Sequence, residues 1–360
     1  MATFYSNSYD GRQLRLEVWQ DGGYAKWALY SEGGSVNYYT IYNCKITIGG
    51  NVVYNPGTVN WNSYNFPAAK GSTSGSVWLG HSASNRNITV NFVGEVYYNR
   101  TTDHGGSFTM GATISKPSLS AISTSNLSDS SVKASFSVTS ANNGNIADYY
   151  IDIFTDSGCT NKVGTISSNS GTFTGLNANR TYYIRGNSSN EAGRSYTAVK
   201  SITTTFTNPG APSNLKITCS NPEPIIAANY TFSWNAASAG STAVAGYRLR
   251  LFKNGTEVRM VDTESTATSY TINAQDEGFA VGDVMTFGLY SYSKDYANNK
   301  HFNGGGSGSA QVVSSGVTMV SDKFVYLSQN GGTFTKYKVY ISVNGGSFTE
   351  VKKEKLKIIS

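Results

Sequence analysis

The sequence predicts an all-β protein made of tandem β-sandwich domains followed by a small C-terminal β-hairpin module. Glycine (38) and tyrosine (25) are abundant among the 360 residues, and charged residues make up only 14%. This mixture favours strands and turns over helices. Apolar residues alternate along the chain, and no run of about 12 residues has helical apolar spacing. The length exceeds what one small sandwich needs, so we expect about three domains.

The first predicted domain covers residues 1–115 and is an N-terminal sandwich or jelly-roll-like fold. Residues 14–19 alternate cleanly, and a turn at residues 21–23 leads into a partner strand at residues 24–30. Further strands are predicted at residues 44–48, 52–54, 75–80, 87–92 and 107–110. About eight short strands of this kind are typical of a sandwich or jelly roll.

The second predicted domain covers residues 116–206. Central strands are expected at residues 132–138 and 149–154, and a closing strand at residues 198–203. Between them, residues 175–187 combine a turn-forming run with an alternating strand, and a polar loop with a glycine follows at residues 190–193. This pattern indicates the corner of a β-sandwich, where a tyrosine locks the turn.

The third predicted domain covers residues 207–320 and begins at a short, stiff linker rich in proline. Its expected strands are residues 215–219, 230–234, 246–252, 285–292 and 310–313, with Trp234 as a core aromatic. A tight turn is predicted at Asn254-Gly255. We interpret residues 294–309 as a flexible loop of this sandwich rather than an interdomain linker.

The last forty residues, 321–360, form a predicted β-hairpin module. Residues 337–343 alternate, Asn344-Gly345 suits a type I′ turn, and residues 348–351 return. A lone hairpin is only marginally stable in water. The module is therefore expected to pack on its own domain, a copy of itself or another protein.

The basic charge belongs to this terminal module. Residues 323–357 hold seven lysines and two acidic residues, Glu350 and Glu354, so they contribute +5 to the net charge of +6. The sequence pI of about 9.0 therefore describes a tail, and no nucleic-acid partner is expected. These lysines are typical of edge protection on a terminal β-element, and the alternative is contact with an acidic partner or polyanion.

The sequence contains no motif that indicates catalysis, so we expect neither enzymatic activity nor a cofactor. The three histidines lie in polar, loop-like segments without metal-ligand spacing, and the three cysteines lie far apart. The N-terminus lacks the basic and apolar regions of a signal peptide, and no apolar segment approaches membrane-spanning length. Membrane insertion is therefore not expected.

Aromatic residues in polar surroundings are the predicted binding residues, since flat rings flanked by amides suit sugars and proteins alike. The predicted set is Tyr38, Tyr39, Trp61, Tyr64, Phe66, Tyr296 and Phe302. The alternative is that these rings fill the sandwich core or its rim. If Trp61 and Tyr64 do bind bacterial cell-wall polysaccharide, replacing both with alanine should weaken host adsorption without unfolding the domain.

Residues 175–185 with the loop at 190–193, together with Ala211-Pro212, Trp234 and Tyr247, resemble fibronectin type III domains. The second domain departs from the family at Phe136, where tryptophan is frequent, and the third departs in the loop at residues 294–309. The N-terminal domain resembles an uncharacterised family of tail-associated siphophage proteins, through residues 14–18, 24–30 and 81–92. No catalytic motif comes with either resemblance.

These observations lead to two functional hypotheses. The first is a bacteriophage virion structural protein, a tail, baseplate or fibre-like component that displays sandwiches for host-surface adhesion. It would be assembled in the host cytoplasm and become extracellular after lysis, with other virion proteins, copies of itself and host cell-wall glycan as partners. The alternative is a secreted or cell-surface carbohydrate-binding module protein in which fibronectin III domains act as spacers.

Overall fold

The structure is a computed structural model that describes residues 1–8, 13–32, 38–62, 71–96, 103–221 and 224–305. Towards the C-terminus it also describes residues 312–313, 316–319, 325–327, 335–337, 340–341 and 349–350. Within these ranges the chain consists of strands, turns and loops, and its one helical element is a 3-10 turn at Asn303–Gly305. The predicted all-β class is confirmed.

The first sandwich consists of two four-stranded antiparallel sheets. Its strands are β1 (Ala2–Tyr5), β2 (Gln13–Asp21), β3 (Tyr24–Glu32), β4 (Tyr38–Ile48), β5 (Asn51–Asn62), β6 (Gly71–Trp78), β7 (Arg86–Val96) and β8 (Asp103–Met110). One sheet has the order β1-β2-β3-β6 and the other β5-β4-β7-β8. Leu14, Leu16 and Val18 of β2 are fully buried and share one core with Ile46 and Val90 of the opposite sheet. Alternation therefore builds this core, as the sequence predicts.

The second sandwich pairs a three-stranded sheet with a five-stranded one. Its strands are β9 (Ser118–Leu119), β10 (Ser123–Ser125), β11 (Ser131–Ser135), β12 (Val138–Ser140), β13 (Asp148–Phe154), β14 (Lys162–Ile166), β15 (Ser170–Thr174), β16 (Thr181–Asn190), β17 (Gly193–Tyr196) and β18 (Lys200–Thr203). One sheet is β10-β11-β15, the other is β14-β13-β16-β17 with β18 also on β16, and β9 pairs separately with β12.

Two local expectations for the second sandwich are corrected by the structure. The strand predicted at residues 132–138 divides at Phe136, because β11 and β12 pair with different neighbours. The polar loop predicted at residues 190–193 is a tight hairpin turn, since Asn190 and Gly193 face each other across β16 and β17. Gly193 has a φ of +117°, a conformation that glycine adopts without steric cost.

The third sandwich repeats this arrangement. Its strands are β19 (Ser213–Cys219), β20 (Asn229–Asn235), β21 (Val244–Lys253), β22 (Thr256–Asp262), β23 (Ser269–Asn273), β24 (Val284–Lys294), β25 (Lys300–Phe302), β26 (Val312–Val313) and β27 (Val317–Thr318). One sheet is β19-β20-β23 and the other is β22-β21-β24, with β25, β26 and β27 all on β24. Trp234 is buried in the core beside Tyr247 and Phe287, as predicted.

The segment predicted as a flexible loop at residues 294–309 begins as ordered sheet. A turn at residues 295–299 returns the chain so that β25 pairs with β24 from Tyr292 to Lys294. The backbone pairing satisfies hydrogen-bonding groups that a surface loop would leave to water. Residues 306–309 of that segment lie outside the described residues.

The second and third sandwiches have the same strand order. In both, β14 or β22 pairs with the strand before it, β13 or β21, rather than with the strand after it, β15 or β23. An immunoglobulin constant-type domain places its fourth strand beside the fifth in the opposite sheet. Both domains are therefore β-sandwiches of the fibronectin III or immunoglobulin-like kind, in which β14 or β22 enlarges the second sheet.

The described parts of the C-terminal module are two short antiparallel pairs. The strands are β28 (Val325–Leu327), β29 (Thr335–Tyr337), β30 (Tyr340–Ile341) and β31 (Thr349–Glu350). Tyr340 faces Glu350 and Ile341 faces Thr349, as the predicted hairpin requires. The turn predicted at Asn344-Gly345 lies outside the described residues.

The chain divides into two compact units. The first comprises residues 1–126, 132–173 and 182–202, and the second comprises residues 127–131, 174–181 and 203–360. The predicted domain boundaries at residues 115, 206 and 320 remain predictions. The candidate functional site described next lies entirely within the first unit.

Candidate functional site

A groove of about 460 Å³ lies on the outer face of the sheet formed by β14, β13, β16 and β17. Residues 151 and 153 of β13 point into the sandwich core and are buried. Because side chains alternate along a strand, Tyr150, Asp152 and Phe154 point outward. The groove is lined by Tyr150, Asp152, Phe154, Cys159, Thr160, Lys162, Thr165, Arg185, Asn187, Arg194 and Tyr196.

Strand register arranges these side chains in rows across the sheet. Tyr150 of β13 faces Asn187 of β16, which in turn faces Tyr196 of β17. Directly opposed residues on one face interact most strongly in an antiparallel pair. The row therefore carries an amide between two tyrosine rings.

Arg185 lies between two aromatic rings in the groove. Its guanidinium carbon is 4.6 Å from the centroid of the Tyr196 ring and 5.5 Å from that of Phe154. Distances below about 6 Å over a ring face favour a cation electrostatically. The rings thus hold a positive charge at a defined position on the sheet face.

A hydrogen-bond network fills the adjoining part of the groove. The Asp152 carboxylate accepts hydrogen bonds from the Thr165 hydroxyl at 2.7 Å and the Asn187 amide at 3.1 Å. Lys162 Nζ lies 3.4 Å from the same carboxylate. The Asn187 carbonyl oxygen accepts a hydrogen bond from Arg194. The members of the network hold one another in place, which pre-orders the surface.

The Arg194 guanidinium also forms an ion pair with Asp148 at the edge of this network. Burial alone would raise the pKa of Asp148, but hydrogen bonds from Arg194 and Ser189 outweigh it and lower the pKa. The Asp148 carboxylate is therefore charged at neutral pH. Arg194 is compensated by a carboxylate of its own.

Arg185 has no such counter-charge. None of the residues that the structure describes forms an ion pair or hydrogen bond with its guanidinium, and its Nε atom is buried without a partner. Asp152 is its direct cross-strand neighbour, but that carboxylate serves Thr165, Asn187 and Lys162 instead. The groove therefore carries one uncompensated cation.

The wall of the groove beside β14 is a turn shaped by Asp156. The Asp156 carboxylate accepts hydrogen bonds from the backbone N–H groups of Thr160 and Asn161. These bonds lower the pKa of Asp156, with the Thr160 N–H contributing most. The oxygens of this carboxylate are therefore occupied in shaping the turn.

Three of the predicted aromatic residues of the first sandwich, those that the structure describes, lie in strands. Tyr38 and Tyr39 belong to β4 and Trp61 to β5, with Tyr39 directly opposite Trp61. Tyr39, near the start of β4, and Trp61, near the end of β5, therefore occupy paired positions in the sheet. Tyr64 and Phe66 lie outside the described residues, so the predicted site in this sandwich remains a prediction.

The two predicted residues of the third sandwich have different surroundings. Tyr296 occupies the turn before β25, is 52% exposed, and has the Arg180 guanidinium carbon 5.1 Å from its ring centroid. Phe302 is half-buried and packs against Tyr292 and Arg248, whose guanidinium carbon is 4.3 Å from the ring centroid. Phe302 therefore contributes to packing, and Tyr296 is the accessible one.

The sequence-based interpretation did not identify the groove. Its one available signal was that the outward positions of β13, Tyr150, Asp152 and Phe154, are large or charged instead of small and polar. That signal is weak because the inward positions Ile151 and Ile153 are also apolar. The central residue, Arg185, has no distinguishing motif.

Two kinds of feature are absent from the described part of the chain. No group of three or more histidine, cysteine or acidic side chains is arranged to hold a metal ion among these residues. In the same residues, no helix has the length and apolar character that a membrane span needs. His301 stacks on Phe206 and lies 3.0 Å from Asp295, a pairing that orders the turn at residues 295–299.

Comparison with models of protein families finds no match, and comparison with curated proteins finds none either. Among solved structures, the chain is similar to the crystal structure of the FN1–FN3 domains of chicken CNTN1. The identity is 10% and the TM-score 0.26, over 86% of this chain and 98% of that chain. A likeness of this degree carries no argument about function.

Proposed function

We propose that this chain is a bacteriophage virion structural protein, a tail, baseplate or fibre-like component whose β-sandwiches contact the host surface. The virion assignment is supported by the resemblance of residues 14–18, 24–30 and 81–92 to tail-associated siphophage proteins. The adhesive role is supported by the groove on the second sandwich. Other virion proteins and further copies of this chain are its proposed assembly partners.

The observation that carries the adhesive role is the construction of the groove. It combines aromatic faces with an amide, hydroxyl groups and an uncompensated cation on a pre-ordered sheet face. Binding sites on rigid strands are more exact than sites on loops. Its carboxylates are occupied by hydrogen bonds within the fold, so the arrangement suits recognition and not proton transfer.

The second candidate function is a secreted or cell-surface carbohydrate-binding protein with fibronectin III spacers. The same groove favours it, since aromatic rings beside hydrogen-bonding side chains are suited to sugars. The two candidates therefore share a binding chemistry. They differ in whether the chain is part of a virus particle.

The deciding experiment is protein analysis of purified particles. The virion proposal expects a 38.6 kDa band that antibodies against this chain recognise, and expects the purified chain to compete with particles for host cells. Absence of the band would reject the virion proposal. Glycan binding by the purified chain together with that absence would favour the carbohydrate-binding alternative.

A further inference from the structure

We propose that the groove binds an anionic saccharide, a sugar unit bearing a carboxylate or a phosphodiester, with Arg185 as the anion-binding residue. This inference deepens the proposed adhesive function by naming the chemical class of its ligand. It rests on the proposed function in one respect, that the sugar belongs to a polymer of the host surface. The binding chemistry itself follows from the groove.

The Arg185 guanidinium has hydrogen-bond donors that the described residues do not use. A guanidinium carries five N–H donors in a fixed plane and stays charged in proteins. In the part of the chain that the structure describes, no acceptor lies within bonding distance of these donors, and Nε is shielded from water. Leaving a charged donor unsatisfied is costly. An oxyanion entering the groove would accept hydrogen bonds from the two Nη groups of Arg185, which are not buried.

The Arg185 guanidinium is held in position before a ligand binds. The Tyr196 and Phe154 rings flank it at 4.6 and 5.5 Å, so little side-chain freedom remains to be lost on binding. Its planar fork matches the two oxygens of a carboxylate or phosphate. The site is therefore organised for an oxyanion before any ligand arrives.

The other groups that line the groove suit a sugar as the rest of the ligand. Tyr196 is 55% exposed and offers a ring face, Arg185 offers N–H donors, and the Thr165 and Thr160 hydroxyls, which donate to Asp152 and Asp156, keep oxygen lone pairs that can accept. A polyhydroxylated ring needs this mixture of a flat apolar face and two-way hydrogen bonding. The volume of about 460 Å³ falls within the range of roughly 300–1,000 Å³ typical of small-ligand sites.

The charges of the groove limit how many negative groups the bound sugar unit can carry. Lys162 is associated with Asp152 and Arg194 with Asp148, which leaves one cation among the described lining residues without a partner. Nucleic-acid backbones require a row of uncompensated cations. A second anion near Arg185 would also approach the Asp152 carboxylate. The groove thus favours one negative group within an otherwise neutral sugar.

The test uses calorimetric titration of the full-length chain with four oligomers of matched length. These are an oligogalacturonate, a galactose oligomer joined by phosphodiesters, a neutral galactose oligomer and an oligoglutamate peptide. Arg185→Gln removes the charge and keeps a polar side chain. Lys133→Gln is the matched control, since it removes an exposed cation of β11, in the opposite sheet of the same sandwich.

We expect at least one acidic saccharide to bind, with affinity that falls as salt is added. Arg185→Gln should weaken that binding at least about tenfold, which corresponds to about 1.4 kcal/mol. Lys133→Gln should change it by less than about fivefold, because Lys133 does not line the groove. A preference for the carboxylate or for the phosphodiester would distinguish the two sources of charge, and either result supports the inference.

Three results would overturn the inference: equal binding of the neutral oligomer, unchanged affinity in Arg185→Gln, or binding of oligoglutamate alone. If Arg185→Gln fails to fold, Arg185→Lys replaces it, because lysine keeps the charge but loses the planar fork and should still weaken binding. Detection in particles and titration are separate measurements. The virion proposal and the saccharide inference can therefore fail independently.

Discussion

At the residue scale, the interior of the second sandwich depends on a strand glycine. A Cβ atom added at Gly186 would lie 2.7 Å from Cδ1 of Phe136 and 3.1 Å from Cδ1 of Ile122. The Phe136 ring therefore occupies the space that a side chain at residue 186 would need. This close packing occurs at Phe136, the position where tryptophan is frequent in the fibronectin type III domains that the sequence resembles.

We expect Gly186→Ala to destabilise the chain by about 1–3 kcal/mol, the usual cost of overpacking a core. The measurement is urea unfolding followed by circular dichroism. Gly111→Ala is the matched control, since its added Cβ would meet its nearest neighbour, Gln20 Oε1, at an ordinary 3.5 Å. Equal effects of the two substitutions would contradict this account of the packing.

A second residue-scale prediction concerns Glu264, whose carboxylate lies between two lysines of the third sandwich. Hydrogen bonds from Lys300, and then from Lys294, lower the pKa of Glu264 from 4.5 to about 2. A carboxyl with a depressed folded-state pKa contributes stability above its unfolded pKa and loses it as pH falls through the folded value. The contribution should therefore disappear between about pH 4.5 and pH 2.

Glu264→Gln should thus lower the urea midpoint at pH 6, and the difference from the unmodified chain should vanish near pH 2. Asp276→Asn serves as the control, because Asp276 is an exposed carboxylate with no ion pair among the described residues. A difference that persists at pH 2 would show that the ion pairs are not its source.

At the element scale, the hairpin of β21 and β22 turns at Asn254-Gly255, as the sequence predicts. Both residues have positive φ, +48° and +81°, which is the requirement of a type I′ turn. The Asn254 side chain also accepts a hydrogen bond from the Val284 N–H at 2.8 Å. One turn therefore sets the hairpin register and contacts the first residue of β24.

Gly255→Ala should cost about 1–2 kcal/mol, because an L-residue with a Cβ is disfavoured in the left-handed region. Differential scanning calorimetry would record the lowered midpoint. Thr256→Ala changes the adjacent exposed residue and should have little effect. An unchanged midpoint in Gly255→Ala would mean that the turn is not under this constraint.

The elements also show which parts of the fold sequence patterns can reach. Strands with a clean alternation, such as β2, or with a marked turn, such as β21 and β22, are predictable because their signals are local. The strand β25 reads as loop, since its order comes from pairing with β24. The groove requires four strands to align, and no local pattern around Arg185 encodes that register.

At the scale of the whole molecule, the first and third sandwiches have separate apolar cores. Leu16 belongs to the core of the first and Leu249 to that of the third, and both are fully buried. Each core draws on both sheets of its own sandwich. A defect in one core should therefore be felt first by the strands that line it.

We expect Leu16→Ala to cost about 2–5 kcal/mol and to speed hydrogen exchange mainly in β2, β3, β4 and β7. Leu249→Ala is the reciprocal variant and should act mainly on β20, β21 and β24. Mass spectrometry of peptides after exchange would resolve the two patterns. Uniform acceleration throughout the chain in both variants would contradict the separation of the cores.

The burial of Cys44 within the first sandwich makes its alkylation a measure of how often that domain opens. The residue is a free cysteine, 1% exposed, and burial raises its pKa to about 12. Almost no thiolate exists there at neutral pH, and a thiol reagent needs the thiolate. Modification of Cys44 should therefore wait until β4 separates from its neighbours, so the labelling rate would report the lifetime of the closed domain.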